Sequence, residues 1–263
     1  KLYGRVYDEL FERVPDHPQL GRRTNPAEQQ AYARSQVELV RQFLPPGGSY
    51  VEIGAGDCAT VRGVADFASA ATAVEVSADI VPSDLPANVR VAISDGVDIP
   101  VPRASADVVY SNQLMEHLHP DDAMEQLRNI AASLRPGGRY ICITPNRLTG
   151  PHDISAAFDE EARGFHLREY TYRELAGALR EAGFRRVRVA ERAQGRAYAR
   201  VVELISSISP RVGRQLRDWG GKVIALPLAP YLLAERIAAA WPGAPAKVRI
   251  FRRLLGITVV AER

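Results

Sequence analysis

Glu52, Asp57 and Glu75 surround a glycine turn in the segment SYVEIGAGDCAT, Ser49 to Thr60. Carboxylates in that setting suit a ligand carrying positive charge. Val51 and Ile53 are β-branched residues in a short apolar run, the pattern of a buried strand. Gly54 and Gly56 let the backbone turn sharply and approach a ligand with no Cβ in the way. A helix opening near Ala59 would present free backbone N–H groups to the same crevice. Together these describe a nucleotide-type site at the carboxyl end of a first parallel strand. Further along, His117, His152 and His166 are the side chains suited to accept a proton near neutrality, with an unperturbed pKa of about 6.5.

Two cofactors compete for the turn. Gly54-Ala55-Gly56-Asp57-Cys58-Ala59 satisfies the dinucleotide fingerprint with alanine in third place, and the acid Glu75 follows at the expected spacing of about 20 residues. A dinucleotide, however, would bring its pyrophosphate next to Glu52, and like charges repel strongly in low-dielectric surroundings. S-adenosylmethionine (SAM) carries a sulfonium and an α-ammonium and no phosphate. Glu52 and Asp57 therefore favour SAM over NAD.

With these residues in place the chain resembles the class I SAM-dependent methyltransferases, in their small-molecule branch. VEIGAGDCA resembles the first motif, with Cys58 where many members carry a third glycine. AVEVS places Glu75, followed by Val76, where the family's acidic residue holds the ribose hydroxyls. AISDGVDIP resembles the adenine segment, with Asp95 between Ser94 and Gly96 set to accept from the exocyclic amine. ADVVYSNQLMEHL resembles the fourth strand and its loop, so that Asn112 and Gln113 would close over the methionine moiety. LRPGGRYICITPN resembles the fifth strand, and FHLREYTYRELAGALREAGF a later helix. The resemblance spans about residues 28–193 and 256–263. It implies a Rossmann-like α/β fold: a doubly wound, mostly parallel, seven-stranded sheet with an antiparallel last strand. SAM is the implied cofactor; no metal is expected.

Methyl transfer requires an acceptor aligned with the sulfonium, exclusion of water and, for an alcohol, a base. His152, beside Asp153, lies in the loop after the fifth strand, on the side where ligands sit beyond strand ends; it is the first candidate base. Its alternative is a loop histidine bonded only to backbone. His117 would shape the cofactor pocket or cap the next helix, and His166 would offer a second substrate contact. The implied activity is methylation of a small molecule, most readily on oxygen: a sugar, a natural product, or a lipid or quinone precursor. An NAD-dependent oxidoreductase and a non-catalytic SAM-binding partner protein are the alternatives.

The elements that must position these groups follow the hydrophobic pattern. A helix is predicted from about 28 to 44, with Tyr32, Leu39, Val40 and Phe43 inward and Pro45-Pro46-Gly47-Gly48 as its stop. Strands are predicted at about 49–54, 72–76, 89–94, 106–111 and 139–144, with RRVRVAER and GITVVAER as a final antiparallel edge pair. Pro120 and the acids Asp121 and Asp122 open a helix that ends at Pro136-Gly137-Gly138. Thr171 and Glu174 form a capping box for the next helix, closed by Gly183. Tyr3, Tyr7 and Phe11 repeat at helical spacing near the N-terminus.

Of 263 residues, 46% are hydrophobic and 25% charged, an ordinary globular balance. Cys58 and Cys142 are no disulfide framework and favour a reduced, cytoplasmic setting. The N-terminal segment has charges breaking every apolar run and does not read as a secretory signal. The net charge of +3 hides an asymmetry: residues 194–255 carry eleven basic residues against three acids, a local +8 that leaves the remainder at −5. The domain reading is an N-terminal helical cap (1–44), a SAM-binding core (45–193 with 256–263) and a basic helical insert (194–255). Tyr198, Val201, Val202, Ile205 and Ile208 keep helical spacing within the insert, and Leu228 to Ala240 offers a second apolar face. The insert would serve as a lid, as a homodimer face, or, through the Val223–Ala234 apolar run, as a peripheral membrane contact. Its few aromatics, not interleaved with arginines, argue against nucleic acid.

Overall fold

A computed structural model describes residues 2–13, 26–191, 224–240 and 257–263. The strands are β1 (Ser49–Ile53), β2 (Ala70–Glu75), β3 (Val89–Ile93), β4 (Ala106–Asn112), β5 (Leu134–Thr144), β6 (Arg186–Glu191), β7 (Ile224–Leu226) and β8 (Ile257–Glu262). The helices are α1 (Leu2–Arg13), α2 (Pro26–Arg41), α3 (Ala59–Ala65), α4 (Pro120–Ser133), α5 (Tyr172–Glu181) and α6 (Ala229–Ala240). All eight strands form one sheet in the order β3-β2-β1-β4-β5-β8-β6-β7. The pairs among β1 to β5 are parallel, and β8 lies antiparallel between β5 and β6. This is the doubly wound, mostly parallel sheet with an antiparallel last strand that the sequence implies. The order reverses between β1 and β4, the crevice where such sheets bind ligands.

Strand alternation explains the two-sided core. Val51 and Ile53 of β1 face a cluster with Leu127 and Ile130 of α4 and Leu175 and Leu179 of α5. Tyr50 faces the opposite cluster, with Leu39 and Val40 of α2 and Val61 and Val64 of α3. Each such fully buried aliphatic side chain contributes about 1.5–3 kcal/mol.

α2 packs closely on α3: a Cβ added at Gly63 would come within 2.6 Å of Val37 Cγ2. Several expectations shift. α2 stops at Arg41, short of Leu44. α4 spans Pro120–Ser133, within a residue at each end of the helix expected at about 121–134 before the Pro136-Gly137-Gly138 stop. Leu134 already pairs with Ala106, and the Pro136-Gly137-Gly138 segment forms an irregularity inside β5 before Arg139 resumes opposite Val108. An eighth strand joins the seven expected: β7 pairs antiparallel with β6 and takes the sheet edge. The capping box of α5 is complete, Thr171 Oγ1 accepting from Glu174 N and Glu174 Oε2 from Thr171 N.

Most of the basic insert, including Tyr198 to Ile208 and Val223, lies outside the described residues. The part that is described turns back onto the core. Leu228, Tyr231 and Glu235 are buried, the Tyr231 and Tyr172 rings meet at 5.3 Å, and the Glu235 carboxylate caps α5 by accepting from Tyr172 N and Arg173 N. Among the described residues no helix is long and apolar enough to cross a membrane.

Candidate active site

At the end of β1 the chain makes the turn that the glycines predict, with φ of +69° at Gly54 and +53° at Gly56. A Cβ at Gly54 would sit 3.3 Å from Leu114. Cys58 takes the same left-handed conformation, φ 59° and ψ 19°, which costs an L-residue roughly 1–2 kcal/mol. That is the position where the resemblance substitutes cysteine for glycine. Its thiol is fully buried and pushed up to about 12, as is that of Cys142, by desolvation first; both are free thiols in unreactive settings.

Glu75 reaches back from the end of β2 to the turn. Its Oε2 accepts from Gly56 N at 2.9 Å and its Oε1 from Val76 N at 2.8 Å. Burial raises its pKa while those two amides oppose the rise. Glu52, on β1, accepts from Tyr50 Oη at 3.2 Å. Desolvation chiefly, with the nearby charges of Asp57 and Glu75, pushes Glu52 up to about 8. Three carboxylates around one turn, two of them disfavouring the ionisation of Glu52, are complemented by a cationic ligand; a pyrophosphate would worsen the repulsion. The charge pattern of the site therefore fits SAM.

These groups open into one cavity of about 1350 Å³. Glu52, Gly54, Ala55, Gly56, Asp57, Glu75, Val76, Ser94, Gly96, Asn112, Gln113 and His117, all singled out from the sequence, line it. Gln113 lies at the end of β4 with φ of +54°, an uncommon conformation for a non-glycine residue that marks many binding sites. Two tyrosines from the helices before β1 also serve the cavity. Tyr3 of α1 packs over Gly96, and its hydroxyl donates to Asp122 Oδ2 at 2.7 Å and accepts from His119 N at 2.9 Å. Tyr32 of α2 joins Asn112 by side-chain hydrogen bonding at 2.9 Å. Tyr3 thus covers the Gly96 end. The side chains of Tyr7 and Phe11 lie outside the description.

Two expected site residues stand elsewhere. Asp95 is not part of the cavity lining; its Oδ1 accepts from Val97 N and Asp98 N, forming the turn after β3. His152, the first candidate base, is exposed and outside the cavity. Its ring Nε2 bonds the Asn146 carbonyl at 3.1 Å, and its backbone N donates to Glu169 Oε1 at 2.7 Å. The loop thus holds this histidine to backbone and away from the cavity lining. The loop carries His166 instead to a buried position where its Nδ1 meets Glu169 Oε1 at 2.7 Å. His166 also touches His117 edge-to-face, with ring centroids 5.0 Å apart. The Glu-His pair after β4 and the His166-x-x-Glu169 spacing were the available signals for this cluster.

The sequence of residues 27–189 matches the model of the methyltransferase domain family. A probable SAM-dependent methyltransferase from Mycolicibacterium smegmatis is 33% identical over 174 residues, 64% of this chain and 65% of that protein. The chain thus spans just under two thirds of this relative. Among solved structures, a SAM-dependent methyltransferase from Mesorhizobium loti superposes with a TM-score of 0.53 at 16% identity, covering 87% of this chain and 98% of its own. The [4+2]-cyclase SpnF superposes at 0.54 with 18% identity, covering 99% and 94%. The fold and the carboxylate-lined turn define a class I, Rossmann-like methyltransferase domain. The chain belongs to the methyltransferase domain family, whose cofactor is SAM.

Proposed function

We propose that this chain catalyses SAM-dependent methyl transfer to an oxygen of a small hydroxylated molecule: a sugar, a natural product, or a lipid or quinone precursor. The observation that carries this reading is one continuous cavity with the carboxylates Glu52, Asp57 and Glu75 at one end and His117 in its wall beyond Asn112 and Gln113. Its volume of about 1350 Å³ exceeds the range of about 300–1,000 Å³ common for single-ligand pockets, leaving room for an acceptor beside the cofactor. When bound, SAM supplies an electrophilic methyl group whose leaving group is a neutral thioether. Glu75 accepts from the ribose hydroxyls, and Glu52 and Asp57 hold the ammonium end. Asn112 and Gln113 orient the methionine moiety, and α1, through Tyr3, excludes water from the Gly96 end. As the oxygen–methyl bond forms, the proton of the acceptor hydroxyl is released to solvent water.

We further infer that the described part of the basic insert braces the core, because Leu228, Tyr231 and Glu235 are buried there and Glu235 caps α5. Incubation with methyl-labelled SAM and a panel of hydroxyl, amine and carboxyl acceptors, with product identified by mass spectrometry, tests the activity. O-methyl products are expected. Labelled amines alone would overturn the oxygen assignment, and conversion of an acceptor without transfer of label would overturn methyl transfer itself.

A further inference from the structure

Glu116, His117 and His166 stand together at the edge of the cavity, each offering one ligand atom, with those atoms within 4.8 Å of one another. Local backbone bonding builds the group. Glu116 and His117 lie in the 3₁₀ turn Met115–His117 that follows β4. The Glu116 carbonyl accepts from Leu167 N and Arg168 N at 2.7 and 3.2 Å, bringing His166 alongside. Asp153 Oδ2 fixes the same loop by accepting from Gly164 N and His166 N.

The outer contacts orient both rings. His166 Nδ1 donates to Glu169 Oε1 at 2.7 Å, and His117 Nδ1 to the Phe165 carbonyl at 3.0 Å. A neutral imidazole that donates through Nδ1 carries its lone pair on Nε2. Metal-bound histidines make the same outer bonds, to a carboxylate or a backbone carbonyl. Glu116 is fully buried. Its Oε2 accepts from Thr144 Oγ1 at 2.8 Å, while its Oε1 has no hydrogen-bond partner. A buried carboxylate oxygen without a partner is costly, and a cation at Oε1 would relieve that cost.

We propose that Glu116, His117 and His166 bind a divalent transition-metal ion of the zinc class, through one carboxylate oxygen and two imidazole nitrogens, with its open position toward the cavity. Two nitrogens and one oxygen suit zinc better than magnesium, which prefers oxygen donors. Three protein ligands leave the fourth position of a catalytic-type zinc site open. Ligand bonds of about 2.0–2.2 Å would draw the three atoms in from their spread of up to 4.8 Å. His117 lines the cavity, so the open position faces the acceptor and would hold its oxygen. That last role rests on the methyl-transfer reading; the metal site itself does not. Glu169 is a positioning residue that acts through His166.

Chelator-stripped protein titrated with Zn²⁺ by calorimetry, and with Co²⁺ by visible absorption, tests the site. One equivalent should bind, and the Co²⁺ bands should be those of a low-coordinate nitrogen and oxygen site. His166→Ala and Glu116→Gln should weaken binding at least tenfold, and Glu169→Gln by roughly 10–100-fold, with the Co²⁺ bands shifted. The exposed neighbour His119 lies outside the cluster, and His119→Ala should bind as wild type does. Thermal unfolding and SAM titration of each variant report retained fold and cofactor binding independently of the metal. Absence of stoichiometric binding, or unchanged binding in both His166→Ala and Glu116→Gln, would overturn the site. Methyl transfer unaffected by metal removal would overturn the role given to the open position and leave methyl transfer standing.

Discussion

At Glu52 burial and ligand binding pull in opposite directions. With its pKa raised to about 8, the folded protein holds a proton there that the unfolded chain, near 4.5, has released. Folding stability attributable to this group is therefore present at low pH and is lost as pH rises from about 4.5 to about 8. Chemical denaturation should show Glu52→Gln more stable than wild type at pH 9 and similar at pH 4; equal stabilities at pH 9 would contradict the shift. SAM, being cationic, favours the ionised carboxylate, so its affinity should rise with pH toward 8 in wild type and show a smaller rise in Glu52→Gln. A flat wild-type profile would remove Glu52 from the ammonium contact. Glu52 and Glu75 were legible in the sequence because they stand at the ends of apolar strands, where strand direction fixes where they point, and Asp57 because it follows the second glycine of the turn. Asp95 and His152 were not, because both lie in irregular segments where local hydrogen bonds decide orientation. Asp95 turned to the amides of Val97 and Asp98, and His152 to the Asn146 carbonyl.

The elements divide in the same way. Period and capping signals located β1 to β6, α4 and α5 to within a few residues, since each depends on its own sequence. Thr171→Ala, which removes half of the α5 capping box, should cost about 1 kcal/mol in urea unfolding; an unchanged midpoint would mean that Glu235 caps the helix unaided. The resemblance implied an N-terminal segment over the substrate, but the particular docking of α1 depends on a glycine almost a hundred positions away. Gly96 has φ of +95°, and a Cβ there would approach Tyr3 Cδ2 to 2.7 Å. Gly96→Ala should therefore displace α1 and weaken SAM binding severalfold. Binding as in wild type would show that α1 does not cover the cofactor. β7 was missed because three residues carry too little pattern to be read, and its partner β6 lies more than thirty residues earlier.

Across the whole molecule, the sheet order places the strand reversal, the glycine turn and the histidine cluster at one end of β1 and β4, which is why one cavity serves both cofactor and acceptor. The insert is tied to that body by α6. Tyr231→Ala removes a nearly buried ring packed at a tilt against Tyr172 and should cost about 3–5 kcal/mol; a loss under about 1 kcal/mol would mean that α6 is not part of the cooperative fold. The alternation of strands and helices revealed the α/β class from sequence, whereas the Glu116–His166 cluster required the folded loop 145–168 to bring together residues fifty positions apart. Calorimetric titration with SAM, S-adenosylhomocysteine and NAD, repeated on Glu75→Ala, tests the central claim most directly. SAM and S-adenosylhomocysteine should bind and NAD should not. Glu75→Ala should weaken both by roughly ten- to a hundredfold, in line with about 1.5–3 kcal/mol for hydrogen bonds to a charged group. Binding of NAD alone, or SAM affinity indifferent to Glu75, would contradict the account.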